Sequence, residues 1–146
     1  MAILSHRAAG NRDGGVDAAL LILRLVLGLL ILLHGISKLP PPPPVEITGM
    51  LAQANLPTAL AWAVYIGEII GPILLIVGVW TRLAAVFIAI NMIVAVLLVH
   101  TGQLFSLGRE GGYALELQAM YLFTAIALTL TGAGRFSVGG RYGPMN

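Results

Sequence analysis

Apolar residues run along this chain in four long blocks, divided by short stretches rich in Pro, Gly and polar side chains. The blocks lie near 16–39, 59–80, 83–101 and 115–131. Each is close to the ~20 residues an α-helix needs to cross a bilayer core. A β-barrel would instead show strands of about 10 residues with strict alternation. The separators carry turn chemistry. PPPPPVEITGMLAQANLP divides the first pair and holds a short amphipathic segment from 45 to 55. Thr81-Arg82 makes a minimal hairpin, and GQLFSLGREGG parts the last two blocks. The pattern predicts an all-α membrane protein, a four-transmembrane-helix bundle over 16–132. It leaves an N-terminal tail at 1–15 and a Gly-rich tail at 133–146 along the membrane interface.

The first block ends at LLHGISKLPPPPPVE, residues 32–46. Leu39 is the expected last helical residue, because a following proline disfavours the α region and the prolines supply no N–H to continue the ladder. Pro40–Pro44 then reads as a stiff polyproline segment. The N-terminal MAILSHRAAGNRDGGVDAAL resembles a signal's charged leader. The apolar run nevertheless continues through Leu33 with no small-residue cleavage site, so it is read as a retained first span.

Composition strengthens the membrane reading. The 146 residues are 58% hydrophobic and only 10% charged, against roughly 25% charged in a soluble domain. The net charge of +2 comes with no basic stripe that could track a phosphate backbone, so nucleic acid is not an expected partner. The absence of cysteine removes disulfides, CxxC redox chemistry, thiolate metal sites and c-type haem attachment. Lys and Arg set the direction. Arg7, Arg12, Arg82, Arg135 and Arg141 share one side, and Lys38 and Arg109 the other, five against two. Both termini are therefore expected in the cytoplasm, in a multi-pass protein of a bacterial inner membrane.

In a chain so poor in charge, the polar residues inside the spans carry the most information. A charge at the bilayer centre costs at least about 2.5–3.5 kcal/mol, and such residues face the bundle interior. Arg24 and Glu68 fall at depths differing by about 5 Å at the helical rise, which makes an Arg24–Glu68 ion pair the expected structural element. His34, Lys38, His100 and Glu116 lie near the outward ends of their helices. The 3.6-residue period groups Arg24, Ile31, Gly35 and Lys38 on one face, Tyr65, Glu68, Pro72 and Leu75 on another, and Tyr113, Glu116, Met120 and Phe123 on a third. Together they predict an outward-opening polar cup of His34, Lys38, Glu68, His100, Glu116, Tyr65 and Tyr113, walled also by Trp62 and Met120.

Each residue also has a plainer role. Lys38 can snorkel to headgroups, His100 can cap its helix, and Trp62 and Tyr113 can be interfacial anchors. Asn91 faces away from His100, toward a neighbouring helix or subunit. Gly67-x-x-x-Gly71 has the spacing of a close helix contact. The coincidence of two His, a Lys and one or two Glu at one depth favours a site. A quinone headgroup would use such donors and acceptors beside an apolar track. A b-type haem would have only His34 and His100, and a metal those two plus Glu116 or Glu68, so the case for either is thin.

HGISKL, GEIIGPILLIVGVWTRLAA, His100 and Glu116, in this order and spacing, resemble the DoxX/DoxD family of small bacterial membrane proteins over about residues 18–138. The resemblance implies a four-helix inner-membrane protein, with some relatives quinone-linked, as a thiosulfate:quinone oxidoreductase subunit is, and others in oxidoreductase complexes. It carries recurrent polar positions onto His34, Lys38, Glu68, Arg82, His100 and Glu116. The family's frequent Ser-Leu-Asp after the last helix is here Phe-Ser-Val without the acid.

The leading expectation is a quinone- or lipid-binding membrane subunit that assists an oxidoreductase, with no covalently bound cofactor. The first alternative is a non-catalytic accessory subunit of a larger respiratory-type complex, and a third is a small transporter or proton conductor resting on Glu68 and Arg24. Expected partners are the bilayer and a larger complex or further copies of the chain. Whether the chain is itself an enzyme stays open.

Overall fold

A computed structural model describes residues 2–39 and 42–146, with side chains described from Gly14 onward except those of Pro40 and Pro41. Helix α1 covers Ala2–Ser37, α2 Val45–Gln53, α3 Gly71–Val77, α4 Thr81–Val99 and α5 Glu116–Thr131. Three stretches are long and apolar enough to cross a membrane, Gly14–Ser37, Thr58–Val77 and Thr81–Val99, and α5 is a shorter apolar helix. The only strand-like pairing among the described residues is an isolated bridge between Leu107 and Tyr113. The chain is an all-helical membrane protein.

The helix ends depart from the sequence expectation in instructive ways. Backbone helix reaches back to Ala2 rather than starting near 16. At its far end α1 stops at Ser37, two residues short of Leu39, and the N–H groups of Lys38 and Leu39 close a last turn on Gly35 and Ile36. The proline run acts one turn upstream, as expected where the residue before proline is driven from the α region. Of the expected polyproline segment, Pro40 and Pro41 lie outside the described residues, and Pro44 leads directly into α2.

The second span is not one regular helix. It begins after Pro57 as a 3₁₀ turn over Thr58–Ala63, widens into a π-helix over Ile66–Ile70, and tightens into α3. Pro72 explains the widening. It has no N–H for the carbonyl four residues back, that of Glu68, and its ring would collide with that carbonyl. The backbone responds with a π turn, in which the Gly71 N–H reaches the Ile66 carbonyl. The displaced Glu68 carbonyl lies against Gly35 of α1, where any Cβ would strike it.

The core lies where α1, α3, α4 and α5 meet, centred on Leu27, Ile31, Leu75, Ile88 and Leu128 with small Ala84, Ala85 and Ala125 between them. Small residues bring helices close enough for dispersion to hold them where lipid gives no hydrophobic drive. Gly67 serves the same end: it abuts Asn91 of α4 with no room for a side chain. The outer surface is apolar, with Leu33, Leu97, Phe123 and Leu130 more than 60% exposed, as a lipid-facing surface must be.

Candidate functional site

The expected Arg24–Glu68 pair does not form. Among the described residues the one salt bridge joins Glu68 to Lys38, with Lys38 Nζ 2.5 and 2.7 Å from the two carboxylate oxygens. The error was one of register. The second span ends at Gly78, whose missing side chain leaves room for the Arg24 guanidinium. Arg24 is thus level with the bottom of that span, and Glu68, about ten residues higher, is level with Gly35 and Lys38.

Arg24 is 1% exposed and is satisfied entirely by main-chain oxygens. Nε donates to Leu75 O at 2.9 Å and Nη2 to Ile76 O at 3.1 Å, while Nη1 donates to Ala133 O and Phe136 O at 2.8 and 2.9 Å. The first two acceptors are orphan carbonyls of the last turn of α3, where a cation also complements the helix dipole. The tail is folded against this end of the bundle. Asp17 Oδ1 accepts from the Arg135 N–H. The Asn146 amide donates to Gly78 O and Gly140 O, and its oxygen accepts from the Thr81 N–H.

At the opposite end, the π turn carries Glu68 inward, 4% exposed, among three helices. Lys38 comes from α1, and Asn91 Nδ2 of α4 donates to Glu68 Oε1 at 3.2 Å. Asn91 therefore bonds a neighbouring helix as expected, but it does not face away from His100, since both line the same cavity. Tyr65 donates its hydroxyl to Lys38 O at 3.0 Å and so fixes the end of α1. Trp62 packs edge-on to Tyr65, with ring centroids 5.8 Å apart.

Two cavities meet at this pair. The larger, about 480 Å³, opens between α2, the 3₁₀ turn and α4; Ile47, Met50, Leu60, Val64 and Leu98 are among its apolar walls, and Lys38, Glu46, Glu68, Asn91 and His100 contribute its polar side chains. The smaller, about 140 Å³, lies between α1, α4 and α5 and is lined by His34, Met92, Gln118 and Tyr121. Lys38, Glu68, Ala95 and His100 belong to both.

His34, Lys38, Glu68 and His100 are thus brought together, with Tyr65 as a support. Glu116 and Tyr113 are not in the group. Glu116 is exposed at the start of α5, and Tyr113 is 40% exposed and donates to Leu104 O within its loop. Met120 and Phe123 also face out, at 66% and 67%. The inward face of α5 is that of Gln118, Tyr121, Ala125 and Leu128. Gln118 and Tyr121 were the residues missed. Gln118 lies 3.5 Å from His100 Nε2, and Tyr121 meets the His34 ring edge-on at 6.1 Å. The signal for Gln118 was its polarity inside an apolar block; for Tyr121 there was none.

Chemically, the larger cavity is a cleft with apolar walls and one polar corner. Its volume falls in the usual range for small-molecule sites, about 300–1,000 Å³. No group of three or more His, Asp or Glu among the described residues is arranged to hold a metal ion.

The DoxX family profile matches residues 19–101. A Haemophilus influenzae protein, named only "Uncharacterized protein", is 32% identical over 126 residues, 84% of this chain and 90% of its own length. A Bacillus subtilis protein named "Putative oxidoreductase CatD" is 31% identical over 119 residues, 77% of this chain and 78% of its own. No solved structure matches the chain.

Proposed function

The chain belongs to the DoxX family of membrane proteins, and on that footing we propose that it binds a quinone-type ligand in the larger cleft as the membrane subunit of an oxidoreductase. The carrying observation is the Lys38–Glu68–Asn91 cluster in a cleft whose other walls are mainly aliphatic, with Glu46 and His100 as its further polar side chains. A quinone has this polarity: two ring oxygens that need donors or acceptors, and an apolar body. Lys38, Asn91 and His100 can donate to a carbonyl oxygen, and Glu68 can accept from a quinol hydroxyl. The oxidoreductase name of the Bacillus subtilis relative supports the redox setting. The Lys and Arg bias supports a cytoplasmic membrane with both termini inside, which turns the cleft toward the outer side.

Photolabelling tests this reading. Protein in lipid nanodiscs is irradiated with an azido-quinone and digested. Adducts should fall in 45–68 and 91–100, and Met50→Trp, which fills the cleft, should abolish them. Equal labelling of Met50→Trp and the native chain would sink the reading. Native purification separates the accessory-subunit alternative: stoichiometric recovery with a larger enzyme, without quinone in the lipid extract, would favour it. A proton conductor loses half its original basis, since Arg24 is bound to carbonyls far from Glu68.

A further inference from the structure

The quinone reading uses only one of the two cavities, although Lys38 and Glu68 line both. On the quinone side the neighbours of the pair are mainly aliphatic. On the other side His34, Gln118 and Tyr121 stand beside Ile31, Met92 and Leu117, and His100 lines both. The ion pair and His100 therefore form a partition between a mainly apolar compartment and a more polar one.

The polar compartment has room and partners for water. Its 140 Å³ corresponds to about four molecules at the liquid share of ~30 Å³ each, and a buried water needs two to four polar partners. Lys38 has three N–H donors and Glu68 has two oxygens, so at least one donor points elsewhere. The Lys38 side chain is 32% exposed against 6% for Glu68. His34 donates through Nδ1 to Leu30 O at 2.8 Å, which leaves Nε2 as its acceptor. His100 Nδ1 is 3.3 Å from the Gln103 amide oxygen, the arrangement of the same tautomer, with Nε2 toward Gln118. Lipid tails in this space would strand all of these groups at a cost of several kcal/mol each.

We propose that the smaller cavity is a water-filled vestibule through which the Lys38–Glu68 pair exchanges protons with the aqueous phase while the ligand occupies the cleft on the other side. This rests on the cleft being the ligand site. In the exchange the Glu68 carboxylate takes a proton to become the neutral acid and returns it to a vestibule water, so the headgroup never meets bulk solvent. The titratable groups facing Glu68 are Lys38 and His34 on α1, Glu46 on α2, Tyr65 on the second span, His100 at the end of α4 and Tyr121 on α5. The two imidazoles line the vestibule. The π turn, a feature that recurs at functional sites, holds the carboxylate on the partition.

The chain has no cysteine, so single introduced thiols report cleanly. Met92→Cys puts a thiol in the vestibule wall, and Ala85→Cys puts one in the sealed core. In nanodiscs, a charged, water-soluble methanethiosulfonate should modify Met92→Cys at least about tenfold faster than Ala85→Cys, which reacts only through local unfolding. A saturating short-chain quinone should leave these rates unchanged. A rate no faster than that of Ala85→Cys would overturn the vestibule. Because labelling needs no ligand, failure of quinone binding would be read separately, from the photolabelling.

Discussion

The two ends of this bundle each bury a charge, and they do so by opposite means. At the tail end, Arg24 spreads its charge over four main-chain carbonyls from two segments, and the space around it is filled. At the other end, Glu68 meets a single ammonium and one amide, with a cavity on either side. A guanidinium offers five donors in a rigid fork, suited to tying backbone together. A carboxylate held by a flexible lysine keeps spare acceptor sites and can change partner. One end is built to stay shut and the other to admit something.

If that contrast is right, the largest effect belongs to Arg24→Leu. It strands four carbonyls, two of them in buried bonds, and releases the tail, and should cost on the order of 4 kcal/mol, read as a collapse of the thermal midpoint in detergent. Arg24→Lys should recover little, because an ammonium cannot reach both segments. Equal stability of Arg24→Leu and the native chain would erase the distinction between the ends.

Asn146→Ala comes next. It removes the three side-chain bonds to Thr81, Gly78 and Gly140 and should cost about 2 kcal/mol, with quinone labelling unchanged. Loss of labelling without loss of stability would instead couple the tail to the site.

The Lys38→Met and Glu68→Gln double-mutant cycle should give a coupling of only about 1 kcal/mol, since Lys38 is partly exposed. Each single variant should nevertheless lose quinone labelling. A coupling as large as the Arg24 effect would mean the pair is a structural lock. The smallest effect is expected of Glu116→Gln, within about 0.5 kcal/mol and with unchanged labelling, as befits an exposed side chain outside the site.

Gly35 links the two readings of the site. A Cβ there would press on the Glu68 carbonyl, so the glycine in HGISK and the proline in GEIIGP act on the same atom from two sides. Each was visible in the sequence as a local feature. That they converge on Glu68 was not, because helix pairing register depends on where the second span turns at Gly78. The wrong partner for Glu68 followed from treating both spans as regular helices centred in the bilayer. The wrong face of α5 had a different cause. Its outward positions are as apolar as its inward ones, Phe123 and Leu130 against Ala125 and Leu128, because lipid and core are both apolar solvents. Periodicity then carries little information about facing.

Sequence alone was sufficient for the helical membrane class, the number of apolar blocks and the gathering of His34, Lys38 and His100 at one end. Those depend on hydropathy and depth, which add up residue by residue along the chain. The tertiary structure decided who pairs with whom: Lys38 rather than Arg24 for Glu68, backbone rather than carboxylate for Arg24, Gln118 and Tyr121 rather than Glu116 and Tyr113 at the cavity. Pairing depends on the relative rotation and offset of whole helices. Small residues and one π turn set those quantities, across distances over which the local pattern is silent.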